Sequence, residues 1–119
     1  MLLESGWCWH SLRMPNDLMV ILTSVANDAD AHRLAEGLVR EKLAACVQIS
    51  AAGASVYCWQ GKIENEAEYY LNIKTSVAKA AAAEAWLLQH HPYETPEVVQ
   101  LEASASAAYV DWLGKQTDG

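Results

Sequence analysis

The stretch Val56-Tyr57-Cys58-Trp59-Gln60-Gly61-Lys62-Ile63-Glu64 decides the fold of this chain. Its central pair, Gln60-Gly61, separates two runs rich in β-branched and aromatic residues, and that pattern predicts a tight β-hairpin. The first arm is predicted over Ala45–Trp59, with a bend or bulge near Gly53, because glycine inside a strand often marks one. The second arm is predicted over Lys62–Thr75 and returns beside the first.

The second arm alternates between an apolar face and a charged face, as a half-buried strand does. The apolar face carries Ile63, Ala67, Tyr69, Leu71 and Ile73. The opposite face carries three glutamates, Glu64, Glu66 and Glu68. Such a row can collect cations, but it is more often a solvated face that blunts a sheet edge, and that second interpretation is preferred here.

Five further elements surround the hairpin, and their order predicts the fold. We expect a strand at Leu18–Leu22, a helix from Asn27 or Asp28 to about Leu43, a helix over Val77–His90, a strand at Val98–Leu101 and a final helix over Ser106–Lys115. The order β-α-β-β-α-β, followed by a C-terminal helix, is that of an α+β, ferredoxin-like sandwich with a long central hairpin. No linker or repeat divides it, so residues 17–117 are predicted to form a single domain. Residues 1–16 are predicted to be a flexible N-terminal extension.

Composition excludes several classes of protein. The net charge of −7 over 119 residues and the lack of any Lys/Arg cluster argue against nucleic-acid binding and against a polybasic membrane anchor. No run approaches the ~18 apolar residues of a membrane helix. The three cysteines, Cys8, Cys46 and Cys58, are odd in number and form no zinc-binding pattern, which favours a reducing compartment. We therefore expect a cytoplasmic protein with no nucleic-acid or membrane partner.

The length of the hairpin predicts self-association. Two paired arms of about 14 residues would span about 46 Å, at ~3.3 Å per residue. A compact domain of this size is only about 35 Å across, so the hairpin should overhang it or bend sharply. Its outer part carries Val56, Tyr57, Cys58 and Trp59, which are poor residues to leave in water. Pairing with another copy would cover them, so a homo-oligomer is expected.

Few residues offer chemistry. No phosphate-binding, nucleophile-elbow or zinc-protease motif occurs, and we expect no catalytic residues and no enzyme activity. The pair His90-His91 is predicted to end a helix, where both imidazoles could turn toward one copper, zinc or nickel ion. Glu94, Glu97 or a carboxylate of another subunit could complete the site. The alternative is that these histidines only complement the negative end of the helix dipole.

Four motifs in this chain resemble those of the CutA family, the divalent-cation tolerance proteins. They are Glu41-Lys42-Leu43-Ala44-Ala45-Cys46-Val47, Tyr57-Cys58-Trp59-Gln60-Gly61-Lys62-Ile63-Glu64, Ile73-Lys74-Thr75 and His90-His91-Pro92-Tyr93-Glu94-Thr95-Pro96-Glu97. The resemblance extends from about Leu18 to Leu113. It implies a ferredoxin-like domain, related in architecture to the PII signalling proteins, and a homotrimer in which hairpins embrace neighbouring subunits. It also implies a role in tolerance to divalent metals such as copper, without catalysis.

Carried over by residue, the resemblance implies His90 and His91 as metal ligands. No cofactor is expected to be obligatory, although a divalent metal such as copper or zinc could bind. Some relatives have a cysteine just after the first strand, where this chain has Thr23, and the loss of a thiolate weakens the case for copper(I).

The likeness to PII proteins implies a second use of the trimer, as a signalling module that binds a small molecule and passes its state to a protein partner. The candidate residues for that inter-subunit cleft are Trp59, Lys62, Glu66, Lys74 and Tyr93. The competing interpretation is that Trp59 and Tyr93 pack the subunit interface and that Lys74 pairs with a glutamate.

Overall fold

A computed structural model describes residues 17–118, which form a four-stranded sheet and three α-helices. In chain order the elements are β1 (Leu18–Val25), α1 (Asp28–Arg40), β2 (Cys46–Trp59), β3 (Lys62–Thr75), α2 (Ala80–His90), β4 (Val99–Ala103) and α3 (Ala107–Thr117). A short 3-10 turn, Val77–Lys79, leads into α2. The predicted N-terminal extension lies outside the described residues.

The sheet is antiparallel, with strand order β2-β3-β1-β4, which confirms the predicted α+β, ferredoxin-like topology. The hairpin of β2 and β3 turns at Gln60 and Gly61, whose φ angles of 51° and 80° are both positive. Two successive positive φ angles are typical of the type I′ turn, whose twist matches that of the strands it joins. The predicted tight turn is therefore confirmed.

The hydrophobic core lies between the sheet and the two helices α1 and α2. Its fully buried members include Ile21 of β1, Leu34 and Leu38 of α1, Leu71 of β3 and Leu87 of α2. Alternation along β3 explains the arrangement, because odd-numbered positions face the helices and even-numbered positions face the opposite side of the sheet. We call that second side the open face.

Helix α1 ends earlier than predicted. The sequence indicated a helix to about Leu43, but the last helical residue is Arg40. Lys42 adopts a left-handed φ of 60°, and the backbone N–H groups of Leu43 and Ala44 both reach back to the carbonyl of Leu38. This turn satisfies carbonyl acceptors at the helix end and redirects the chain into β2.

The predicted irregularity in the first hairpin arm is a β-bulge. Ser50 pairs with Tyr70 and Gly53 pairs with Glu68, so β2 has one residue more than β3 between these two pairs. Because side chains alternate along a strand, the extra residue reverses which positions of β2 lie on the open face. Beyond the bulge, Ser55 therefore shares the open face with Glu68.

The outer half of the hairpin projects beyond the helices. The radius of gyration is 17.0 Å, against about 13 Å for a compact domain of this length. Val56, Trp59 and Ile63 are 64%, 59% and 75% exposed. The expected overhang and its uncovered apolar residues are thus both present.

Two observations on the described residues concern the cysteines and the helices. Cys46 and Cys58 are free thiols, the first half-buried and the second exposed. Between residues 17 and 118, no helix combines the length and the apolar character that crossing a bilayer requires.

Candidate functional site

Glu68 is the centre of a polar cluster at the root of the hairpin. Its carboxylate accepts hydrogen bonds from the hydroxyls of Ser24 (2.9 Å), Ser55 (3.0 Å) and Tyr93 (2.9 Å). The residue is only 8% exposed. The interpretation of the three glutamates as a solvated row is therefore wrong for Glu68, because the bulge and the segment after α2 bring hydroxyl donors over it.

The segment that supplies Tyr93 connects α2 to β4 and covers residues 91–98; we call it the α2–β4 loop. Tyr93 reaches Glu68 with its hydroxyl, and its ring lies against that of His91 with centroids 4.9 Å apart. Burial, reinforced by the hydrogen bond to Glu68, raises the pKa of Tyr93 to about 12. The phenol thus stays protonated and keeps donating throughout the physiological pH range.

His91 is buried, and both of its ring nitrogens are engaged within the chain. Nδ1 accepts a hydrogen bond from the backbone N–H of Tyr93 at 3.1 Å. Nε2 lies 3.0 Å from the carbonyl oxygen of Ser24 and 3.1 Å from the hydroxyl of Thr23. Since a carbonyl can only accept, Nε2 carries the proton and the ring is neutral. Burial agrees with this, because it lowers the pKa of His91.

His90 differs from its neighbour in having an available nitrogen. Its ring stacks on Trp86, with centroids 4.0 Å apart and planes inclined by 17°. Nδ1 donates to the backbone carbonyl of Trp86 at 2.8 Å, so the lone pair lies on Nε2. Arg33 also donates to the carbonyl oxygen of His90. Within residues 17–118, Nε2 of His90 has no hydrogen-bond partner.

The two histidines therefore offer a metal ion one imidazole nitrogen rather than two. Coordination by His91 would require loss of its bond to Tyr93 or a change of tautomer. Within the described part of the chain, no three His, Cys, Asp or Glu side chains are grouped so as to hold a metal ion. The assignment of His90 and His91 as metal ligands stays a prediction, and this geometry favours His90.

The five candidate cleft residues do not meet within one chain. Trp59 pairs with Lys62 beside the hairpin turn, and Glu66 lies between Lys62 and the Glu68 cluster on the same face of β3. Lys74 is twelve positions from Lys62, about 40 Å along the strand. It donates to the side chain of Gln48 instead. A cleft containing all five residues would require a second copy, so this assignment also stays a prediction.

Ser24 and Ser55 were not predicted from the sequence as members of this cluster, and the prediction that Glu68 is solvated was wrong. The local pattern of β3 gives Glu68 the same place as Glu64 and Glu66, so nothing in that strand distinguishes it. The signal that could have identified it was the glycine opposite. Gly53 predicted a bulge, and a bulge changes which side chains of β2 lie on the same face as the glutamate row.

Comparison with known proteins assigns the chain to a family. Residues 19–116 match the family model described as CutA1 divalent ion tolerance protein. The divalent-cation tolerance protein CutA of Pectobacterium atrosepticum is 40% identical over 98 residues, which is 82% of this chain and 89% of that protein. The protein of the same name from Yersinia pestis is 36% identical over 99 residues, or 82% of this chain and 83% of that one.

Solved structures agree with the match in sequence. CutA from Xylella fastidiosa superposes with a TM-score of 0.83 at 35% identity, covering 87% of this chain and all of that one. CutA from Synechococcus elongatus gives a TM-score of 0.82 at 39% identity, covering 85% and 90% of the two chains.

Proposed function

Because this chain belongs to the CutA1 family of divalent ion tolerance proteins, we propose that it acts as a homotrimer that binds a divalent metal ion through His90. The observation that carries the metal proposal is the unpartnered Nε2 of His90, held in place by the stacking on Trp86 and by the bond from Nδ1. A neutral imidazole nitrogen is a good ligand for copper(II) and zinc.

Assembly follows from the exposed hairpin. The outer arm leaves Val56, Trp59 and Ile63 in water, and its β2 edge has unpaired backbone groups in a single chain. A second copy that adds its own strand would pair these backbone groups, and packing of its apolar face there would cover the exposed side chains. Three-fold closure is the arrangement that the family resemblance implies, and it lets every hairpin contact a neighbour without an open end.

Assembly also bears on the metal site. One imidazole is too few ligands for a stable site, since copper and zinc take four or more donors. The α2–β4 loop carries exposed carboxylates at Glu94 and Glu97. In the proposed trimer the remaining ligands come from such carboxylates or from another subunit. His91 supports the site by fixing the loop and does not bind the metal.

The experiment is isothermal titration of copper(II), and separately of zinc, into the untagged protein. We expect micromolar or tighter binding that His90→Ala abolishes. His32→Ala is the matched control, because His32 is an exposed histidine on α1, the other helix of the same layer. Binding that survives His90→Ala, or that is lost equally in His32→Ala, would refute the proposed site.

A second candidate function is a PII-like small-molecule site between subunits. It is favoured by Trp59, Lys62 and Glu66, which lie exposed on the same face of the overhanging hairpin as the Glu68 cluster. Together they offer a stacking surface, a cation and a carboxylate. Native mass spectrometry of the purified assembly tests it, since a bound metabolite adds mass that Trp59→Ala removes.

Two further properties belong to the proposal. We propose that the protein is not an enzyme, since the family names describe tolerance to cations and not a reaction. We also propose a cytoplasmic location, supported by the free thiols Cys46 and Cys58. A relative from Archaeoglobus fulgidus is described as periplasmic, so fractionation of the native cells is the test.

A further inference from the structure

We infer that Glu68 is a positioning residue that couples the α2–β4 loop to the outer half of the hairpin. Its carboxylate is where the loop, β1 and both hairpin arms meet. This inference rests on the proposed function for what the two ends do, since the loop adjoins the metal ligand and the hairpin carries the assembly contacts. Occupancy of the loop and assembly through the hairpin should then influence each other.

From the side of the loop, the connection runs through two consecutive contacts. The backbone N–H of Tyr93 donates to His91, which is itself tied to Ser24. The hydroxyl of Tyr93 donates to Oε2 of Glu68. Because His91 directly follows His90, a displacement of the loop that accompanies metal binding reaches Glu68 through Tyr93.

From the side of the hairpin, the connection is made immediately after the bulge. Oε1 of Glu68 accepts from the hydroxyl of Ser55, which belongs to the opposite strand and pairs with Glu66. This diagonal bond closes the two arms at the point where they leave the cover of the helices. The hydrogen bond between Ser55 and Glu68 therefore fixes the orientation of the outer half of the hairpin relative to the rest of the sheet.

Burial makes the three bonds act together. Glu68 is 8% exposed, and within the described residues neither Lys nor Arg forms an ion pair with it. A buried carboxylate depends on its hydroxyl donors, and losing one leaves charge that water cannot easily reach. Release of Tyr93 should thus loosen Ser55 as well, although those two residues do not bond to each other. Thermodynamic linkage makes the effect reciprocal.

The first test is amide hydrogen exchange on the full chain carrying Tyr93→Phe. We expect amides of residues 55–66 to exchange about three- to tenfold faster than in the wild type, the range that corresponds to the loss of one typical hydrogen bond. Tyr109→Phe, in α3, is the matched control and should leave these amides unchanged. Unchanged exchange in Tyr93→Phe, or equal acceleration in Tyr109→Phe, would overturn the coupling.

The second test is a double-mutant cycle between Tyr93→Phe and Ser55→Ala, with the same exchange rates as the readout. Two independent structural roles give additive effects, whereas a shared carboxylate makes the double variant less affected than the sum. Glu68→Gln keeps acceptor oxygen and shape and should restore part of what Glu68→Ala loses. Additivity in the cycle contradicts the inference.

A third measurement separates this inference from the metal proposal, because the exchange experiments need no metal. The dissociation constant of the assembly is measured with and without zinc in the wild type and in Tyr93→Phe. A shift that zinc produces only in the wild type supports the coupling. If wild type binds zinc and His90→Ala does not, but zinc leaves the dissociation constant of the wild-type assembly unchanged, the coupling fails while the metal proposal stands.

Discussion

Among the glycines of residues 17–118, Gly53 should be the one whose substitution lowers stability most, because Tyr70 occupies the space that any side chain there would need. A Cβ built on Gly53 would lie 2.0 Å from Cε2 of Tyr70 and 2.9 Å from its hydroxyl oxygen. Ordinary contacts begin near 3.4 Å, so in Gly53→Ala the ring must move by more than an ångström. That hydroxyl donates to the carbonyl of Ala54 at 2.8 Å, and the displaced ring loses this bond.

Three contributions determine how much Gly53→Ala lowers the free energy of unfolding. Overpacking costs about 1–3 kcal/mol, and the lost hydrogen bond costs about 1 kcal/mol. Against these, replacing glycine by alanine restricts the unfolded chain and returns about 0.5 kcal/mol. We therefore expect Gly53→Ala to lower the free energy of unfolding by about 1.5–3.5 kcal/mol, measured by urea denaturation at fixed protein concentration.

The control is the same substitution in a chain where the ring is absent. In a Tyr70→Ser background, Gly53→Ala should be neutral or slightly stabilising, since nothing then occupies the space. Tyr70→Phe alone should lose only the hydrogen bond, about 1 kcal/mol. An equal loss from Gly53→Ala with and without the Tyr70 ring would refute the steric reasoning, as would full stability of the single variant.

Three further predictions concern the cap of α1, the buried histidine and the hairpin. Asn27→Ala should lower the free energy of unfolding by about 1 kcal/mol, measured by urea denaturation, because the Asn27 side chain caps α1 by accepting a hydrogen bond from the N–H of Asp30 at 2.8 Å. Asn27→Asp keeps an acceptor and should lower it less. Because burial lowers the pKa of His91 in the folded protein, below about pH 6.5 the unfolded chain binds a proton at this histidine more readily than the folded chain does. The free energy of unfolding should therefore fall as the pH drops through and below that value, and His91→Gln should remove this contribution to its pH dependence. Trp59→Ala should weaken association by about 2 kcal/mol or more, detected by sedimentation at low micromolar concentration, whereas Val39→Ala on α1 should leave the mass unchanged.

The fold was predictable because each of its signals is local. Gln60-Gly61 needs no distant partner to form a hairpin turn, and the alternation of Leu71 and Ile73 reports the buried face of β3 by itself. The end of α1 was missed because apolar spacing continues past Arg40, while the left-handed Lys42 that stops the helix is not a glycine. Tertiary packing overrides the pattern there.

The site was less predictable because it depends on register. That Glu68 differs from Glu64 and Glu66 follows from the bulge and from a loop 25 residues later in the chain. His90 and His91 looked equivalent in sequence, yet the fold buries the second and leaves a nitrogen of the first available. Which nitrogen of an imidazole is engaged depends on the surrounding carbonyls and N–H groups, and adjacency in sequence does not reveal it.

Metal binding by His90 is tested most directly by X-ray absorption spectroscopy at the zinc edge of the zinc-loaded protein, because this method identifies the atoms bound to the metal. We expect imidazole scattering that corresponds to one His per chain, lost in His90→Ala and retained in His32→Ala. A spectrum with oxygen ligands only, or imidazole scattering that survives His90→Ala, would contradict the assignment of metal binding to His90.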